Sequence, residues 1–91
     1  MMKLKGNYVI KEIAGEHLAI YCHEDIVDLR RAISLKGGAK PMFEALLNGA
    51  DKAELTEILV KDYNIEEKDA EKDAQNFLSL LYNNDLLDGS L

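Results

Sequence analysis

The chain has 91 residues, 31% of them charged and 47% hydrophobic, with a net charge of -6 at pH 7 and a pI near 4.8. This length supports one small core that buries only about 60–65% of the surface the unfolded chain exposes, so residues 1–91 are expected to form a single domain. The acidic balance disfavours a partner held through phosphates, no stretch approaches the roughly 20 apolar residues of a membrane span, and the lone Cys22 excludes an internal disulfide and points to a reducing, cytosolic setting.

Residues Tyr8 to Ile13 are rich in β-branched and aromatic side chains. Ala14-Gly15-Glu16 supplies a turn before His17 to Cys22, which predicts a β-hairpin. In the second arm Leu18, Ile20 and Cys22 alternate with His17, Ala19 and Tyr21. One face of the hairpin can therefore be apolar and the other partly wet. After the polar break at residues 23–25, Val27, Leu29, Ile33 and Leu35 hold every second position, with Arg31 the exception. A third strand follows from that period for 32–35. For 26–31 the same residues also count as a helix capped by Asp25, with Ile26, Leu29 and Ile33 on one face.

From Ala39 the apolar spacing changes to 39, 42, 43, 46 and 47, which is helical. Pro41 then belongs to the first turn, where its missing amide hydrogen costs little. Asn48-Gly49 ends this helix, and Asp51 with Glu54 has the spacing of a capping box for a second, whose stripe is Leu55, Ile58, Leu59 and Tyr63. The third helix, Glu66 to Asn83, has the clearest pattern. Ala70, Ala74, Phe77, Leu78 and Leu81 form one apolar stripe, acidic residues crowd its first turn, and Ile65 can fold over Ala70 as a staple. Leu86 and Leu87 are expected to return to the core, with 1–6 and 88–91 hanging free.

The densest reactive cluster is Cys22-His23-Glu24-Asp25, with His17 nearby. Neighbours on a strand face opposite sides and no second cysteine or HxxxH pair completes a tetrahedral set, so neither a metal nor a cofactor is expected. A chain this short also leaves little room for a substrate cleft, a nucleophile and an orienting group together, and no enzymatic activity is expected. Three helices after a hairpin suggest a winged helix-turn-helix, and a nucleic-acid-binding regulator is the alternative function. Its last helix would carry Glu66, Glu67, Asp69, Glu71 and Asp73 toward phosphates against only Lys68 and Lys72, which opposes binding.

The third strand carries more information. If the hairpin pairs on one side of it, the other side is an edge with unpaired backbone groups. Arg30 and Arg31, the adjacent basic pair in an acidic chain, sit on that strand. They serve either as the protective charges of an ordinary edge or as selectors of an acidic peptide that adds there as a further strand. The same edge can also pair with a second copy of the chain as a homodimer.

Nearly the whole chain resembles the PqqD family of small peptide-binding proteins, also known as precursor-peptide recognition elements. The resemblance rests on an ordered set of motifs. These are Tyr8-Val9-Ile10; Ile33-Ser34-Leu35 followed by Ala39, Met42, Phe43, Leu46, Leu47, Asn48 and Gly49; Glu57-Ile58-Leu59 with Tyr63-Asn64-Ile65; and Asp73, Phe77, Leu78 and Leu81 leading to Leu86-Leu87. It implies an α+β winged helix-turn-helix, with a three-stranded antiparallel sheet followed by a three-helix bundle. It also implies a function without chemistry, in which the leader of a ribosomally made precursor peptide binds as a strand against strand three, beside helix three. The precursor is then presented to a maturation enzyme, often a radical S-adenosylmethionine (SAM) enzyme.

Carried over by resemblance, the groove would be lined by Leu29, Arg30, Arg31, Ala32, Ile33 and Ser34, and on the helix by Asp73, Asn76, Phe77 and Leu80. The opposite flank of the helix, Leu78 and Tyr82, is the other candidate wall. Two departures from the family pattern lie near this groove. Lys36-Gly37-Gly38 stands where the family tends to have Asn-Glu-Thr, followed by Pro41 and one extra residue before Asn48-Gly49, and the segment 23–31 is long.

Overall fold

The computed structural model describes residues 3–23 and 26–88, with the side chains of 23 and 26–31 excepted. The elements in chain order are β1 (Lys3–Leu4), β2 (Asn7–Ile13), β3 (Glu16–His23), β4 (Ile26–Leu35), α1 (Ala39–Leu47), α2 (Lys52–Tyr63), α3 (Glu67–Asn83) and β5 (Leu87–Asp88). Strands β2, β3 and β4 form an antiparallel sheet in that order, and three helices follow, in the α+β arrangement expected. Residues 26–31 are strand, which settles the ambiguity in favour of the period-two pattern.

The β2–β3 hairpin turns through two residues, Ala14 and Gly15, with φ of 53° and 80°. Two positive φ angles match the right-handed twist of the flanking strands, and Asn-Gly is the pair that best tolerates them. Ala14 is exposed and meets this requirement at a steric cost. Replacing Ala14 with Asn is expected to raise stability by about 0.5–1 kcal/mol, or roughly 2–8 °C in a thermal melt of a domain this size. A melting temperature that falls instead would contradict the turn geometry.

The sheet packs on the helices through the face that carries His17, Ala19 and Tyr21 in β3. Tyr8, Ala19 and Leu35 are buried in the core cluster, with Ile10, Tyr21 and Ile33 packed against it, whereas Leu18 and Cys22 are half-buried on the far side. Both phases of β3 carry apolar residues, so the period alone does not choose between them. Volume does. Tyr8 meets Tyr21 and Phe43 edge-on, with ring centroids 5.6 and 5.7 Å apart, and Ala19 is fully buried in the same core cluster.

The helices follow their sequence signals closely. Asp51 accepts a hydrogen bond from the Glu54 amide at 2.9 Å and Glu54 reaches back to the Asp51 amide, completing the capping box of α2. All five residues predicted for the α3 stripe are buried, and α2 packs along it. Three predicted core positions differ, since Leu47 and Tyr63 each stand at the end of a helix and are exposed, and Ile58 is half-buried outside the core cluster. Gly37 takes a left-handed turn with φ 56°, and Gly38 lies so near Leu59 that a Cβ there would come within 2.6 Å of the leucine Cδ2. The departure from the family pattern at 36–38 is therefore a close approach between the α1 N-terminus and α2.

Of the ends expected to hang free, Lys3, Leu4 and Asp88 are instead engaged in a short antiparallel ladder that Leu87 completes, and residues 1–2 and 89–91 lie outside the described residues. Two-residue strands carry no periodicity to read, and the pairing follows from Leu86 and Leu87 being drawn into the core. No helix among the described residues is long and apolar enough to cross a membrane.

Candidate functional site

β4 is the outermost strand of its sheet, and among the described residues nothing pairs with its second edge. Its ladder with β3 is broken in the middle. Ile33 stands opposite Ala19, but the next pair is Asp28 opposite Tyr21, so β4 spends five steps (33 to 28) where β3 spends two (19 to 21). Three extra residues of β4 are thereby accommodated opposite Ile20, within the stretch Leu29 to Ala32. Because three is odd, the phase flips across the bulge: Val27 stands opposite Cys22, out of step with Ile33 opposite Ala19. The single face expected for Val27, Leu29, Ile33 and Leu35 is therefore divided. This accounts for the extra length noticed in 23–31.

Beyond the bulge, the regular end of β4 faces the C-terminal half of α3 across a cleft of about 450 Å³. Ala32, Ile33 and Ser34 form one wall, Leu80, Leu81 and Asn84 the other, and Tyr8 and Leu86 close the floor. The floor is largely apolar, and the rim combines the polar Ser34 and Asn84 with Leu80. Leu80 is 52% exposed, a large aliphatic surface left facing water in a small protein. Asn84 donates from Nδ2 to the Leu80 carbonyl at 2.8 Å, which orients its amide and leaves the carboxamide oxygen as an acceptor on the rim.

The floor is held from below. After α3 the chain turns through Asp85, whose φ is 64°, and returns with the Leu86 amide donating to the Leu81 carbonyl at 2.8 Å. The Lys5 amide donates to the Leu86 carbonyl at 2.8 Å, and the Lys5 ammonium pairs with the Asp85 carboxylate. That hydrogen bond to Asp85 holds the Lys5 pKa above its ordinary value against a weaker opposing effect of desolvation.

Of the residues expected in the groove, Ala32, Ile33, Ser34 and Leu80 come together in the cleft. Asp73 and Asn76 share the Leu80 flank of α3 by helical spacing but lie exposed along it, outside the lining. Phe77 is 8% exposed and belongs to the core cluster. The side chains of Leu29, Arg30 and Arg31 lie outside the described residues, while their backbone runs through the bulge of β4. On the alternative flank, Leu78 is fully buried in the core and Tyr82 is half exposed away from the cleft. Tyr8, Leu81, Asn84 and Leu86 line the cleft without having been assigned to it. Tyr8 and Leu86 stood out in the sequence as strand and core residues, and Asn84 is one helical turn beyond Leu80.

Of the reactive residues near the hairpin, Glu24 and Asp25 lie outside the described residues, and His17 and Cys22 do not converge. His17 and Cys22 fall on opposite faces of β3, and His17 Nε2 lies 3.1 Å from a carboxylate oxygen of Glu12 across the hairpin. His23 has its side chain outside the described residues, and among the described residues no group of three or more His, Cys, Asp or Glu could hold a metal.

No curated protein matches the chain by sequence. Among solved structures, TbiB1 in complex with the TbiA(beta) leader peptide shares its fold, with a TM-score of 0.72, 21% identity, and 98% of each chain covered. The sequence model described as coenzyme PQQ synthesis protein D (PqqD) matches residues 26–87, a span that holds β4, its open edge, all three helices and most of the cleft lining. With the match extending over more than half of its length, the chain belongs to the PqqD family.

Proposed function

We propose that this protein binds the leader segment of a ribosomally synthesised precursor peptide as an added strand on the free edge of β4 and presents it to a separate maturation enzyme, a radical SAM enzyme. The observation that carries the reading is the coincidence of an outermost strand with an apolar cleft directly beside it. In strand addition, backbone bonds along the edge supply affinity, and side chains that alternate toward the cleft supply register and selectivity. Membership of the PqqD family and the leader peptide in the TbiB1 complex support it.

The bulge sharpens the reading. A strand pairing with β4 meets a regular edge over Ile33 to Leu35, next to the cleft, and an irregular one over Leu29 to Ala32. The leader is therefore anchored at the Ile33 end, while Arg30 and Arg31 favour acidic residues in the part that passes the bulge. The protein contributes proximity, not chemistry. Holding the leader concentrates the core peptide at an active site elsewhere, and the bound strand sets which residues reach it. The nucleic-acid reading gains nothing from the fold, because Glu66, Glu67, Asp69, Glu71 and Asp73 are all exposed on α3.

The test is a titration of the protein with synthetic leaders of the short peptides encoded beside it, followed by amide NMR. Shifts are expected to concentrate at Ala32 to Ser34, Leu80, Asn84 and Leu86. A folded sample whose spectrum no such peptide perturbs would overturn the proposal.

A further inference from the structure

Two of the cleft-lining residues, Asn84 and Leu86, flank Asp85, which does not line the cleft itself. Asp85 sits in a left-handed conformation that few residues other than Gly, Asn and Asp enter readily. The turn is held to α3 by Asp85 donating to the Tyr82 carbonyl at 3.1 Å and Leu86 donating to the Leu81 carbonyl. Its outer side is held by Lys5, from the far end of the sequence. Lys5 binds it twice, through its amide to the Leu86 carbonyl and through its ammonium to the Asp85 carboxylate.

An exposed ion pair of this kind adds little to global stability, because water and salt screen it and two side chains must be ordered. Its local effect is different. It fixes the orientation of a turn whose two flanking side chains border the cleft. We infer that Lys5 and Asp85 are positioning residues for the leader-binding cleft, a clasp from the bend just after β1 that holds the Asn84 rim and the Leu86 floor in the shape the leader requires. The inference rests on the proposed function, and it adds residues distant from the peptide to the binding machinery. Linkage makes the effect reciprocal, so a leader that selects the clasped cleft also tightens the clasp.

The experiment measures leader affinity, thermal stability and amide hydrogen exchange in Lys5→Met, Lys5→Arg and Asp85→Asn. The last removes the carboxylate but keeps a residue tolerant of the left-handed turn. The probe is a synthetic leader, from a neighbouring short peptide, that binds the wild type. For Lys5→Met and Asp85→Asn, affinity is expected to fall about five- to ten-fold. Exchange at the Leu86 amide is expected to quicken by a similar factor, with a melting temperature within about 2 °C of wild type. Lys5→Arg should restore affinity and exchange together.

Three results would overturn the inference. The first is Lys5→Met binding the leader as the wild type does. The second is a melting temperature that falls while affinity holds, which would make the clasp a structural tie alone. The third is a wild type that binds no leader, which removes the proposed function and this inference together, whereas the first two leave the proposed function standing.

Discussion

Leu80→Asp is expected to weaken leader binding at least about thirty-fold while leaving the melting temperature within about 2 °C. Leu80 stands on the rim of the cleft, 52% exposed, so the folded protein already leaves half of it in water and the substitution removes little core contact. A bound strand would cover it. Losing that burial costs up to about 1.5–3 kcal/mol for a leucine-sized side chain. A carboxylate enclosed by Ile33, Leu81 and Leu86 would also lose its hydration without a cationic partner there, which adds to the loss. Together these exceed the roughly 2 kcal/mol that corresponds to thirty-fold. Isothermal titration with a synthetic leader measures the first quantity and a circular-dichroism melt the second. Tyr82→Asp, two residues away on the other flank and equally exposed, should change neither. If Tyr82→Asp abolished binding and Leu80→Asp did not, the leader would lie on the opposite side of α3 and the cleft would be vacant in the complex.

The helices were legible because each was marked twice, by an apolar period and by its ends. α2 illustrates this: Asp51 and Glu54 announce its start, and both capping bonds form. For α3 the stripe alone was enough, because apart from Leu80 and Tyr82 near its end the other faces carry nothing apolar, and so only one orientation buries most of the hydrophobic surface. The sheet offered no such asymmetry. In β3, Leu18, Ile20 and Cys22 compete with Ala19 and Tyr21, and the outcome was set by the Tyr8, Tyr21 and Phe43 rings, which come from three separate elements. In β4, a period interrupted at Arg31 hid three extra residues. A bulge changes which backbone group faces which neighbour, and the pattern of side-chain types along one strand does not record it.

The same distinction governs the cleft. Ile33, Ser34 and Leu80 were accessible because an edge strand and a helix flank are properties of local pattern and of the family resemblance. The floor was not accessible, since Tyr8 and Leu86 are drawn together from opposite ends of the chain by the β1–β5 ladder. Phe77 was assigned to the groove by the family resemblance, while its place in the apolar stripe pointed to the core, and it lies in the core because α3 packs on α2 along a stripe wide enough to include it. Helical spacing assigns a flank to within about one residue position, and the boundary between wall and core falls within that margin.

Phe43→Ala is expected to cost about 3–5 kcal/mol, a large share of the 5–15 kcal/mol that holds a typical domain folded. Phe43 is fully buried, sits at the centre of the core cluster and meets the edge of Tyr8 at 5.7 Å. Truncation removes its own transfer free energy and leaves a cavity bounded by sheet and helix that neither can fill without moving. For a domain of this size the melting temperature should fall by roughly 15 °C or more, or cooperative unfolding should vanish. Because Tyr8 is also the floor of the cleft, a second consequence follows. Phe43→Leu keeps most of the volume and should cost only about 1–1.5 kcal/mol, so the variant stays folded at room temperature. It nevertheless removes the ring against which Tyr8 is set, and leader affinity should fall with it. A folded Phe43→Leu protein that binds the leader at full strength would show that the position of Tyr8 does not depend on the core beneath it. The cleft would then be defined by Ile33, Leu80 and Leu86 alone.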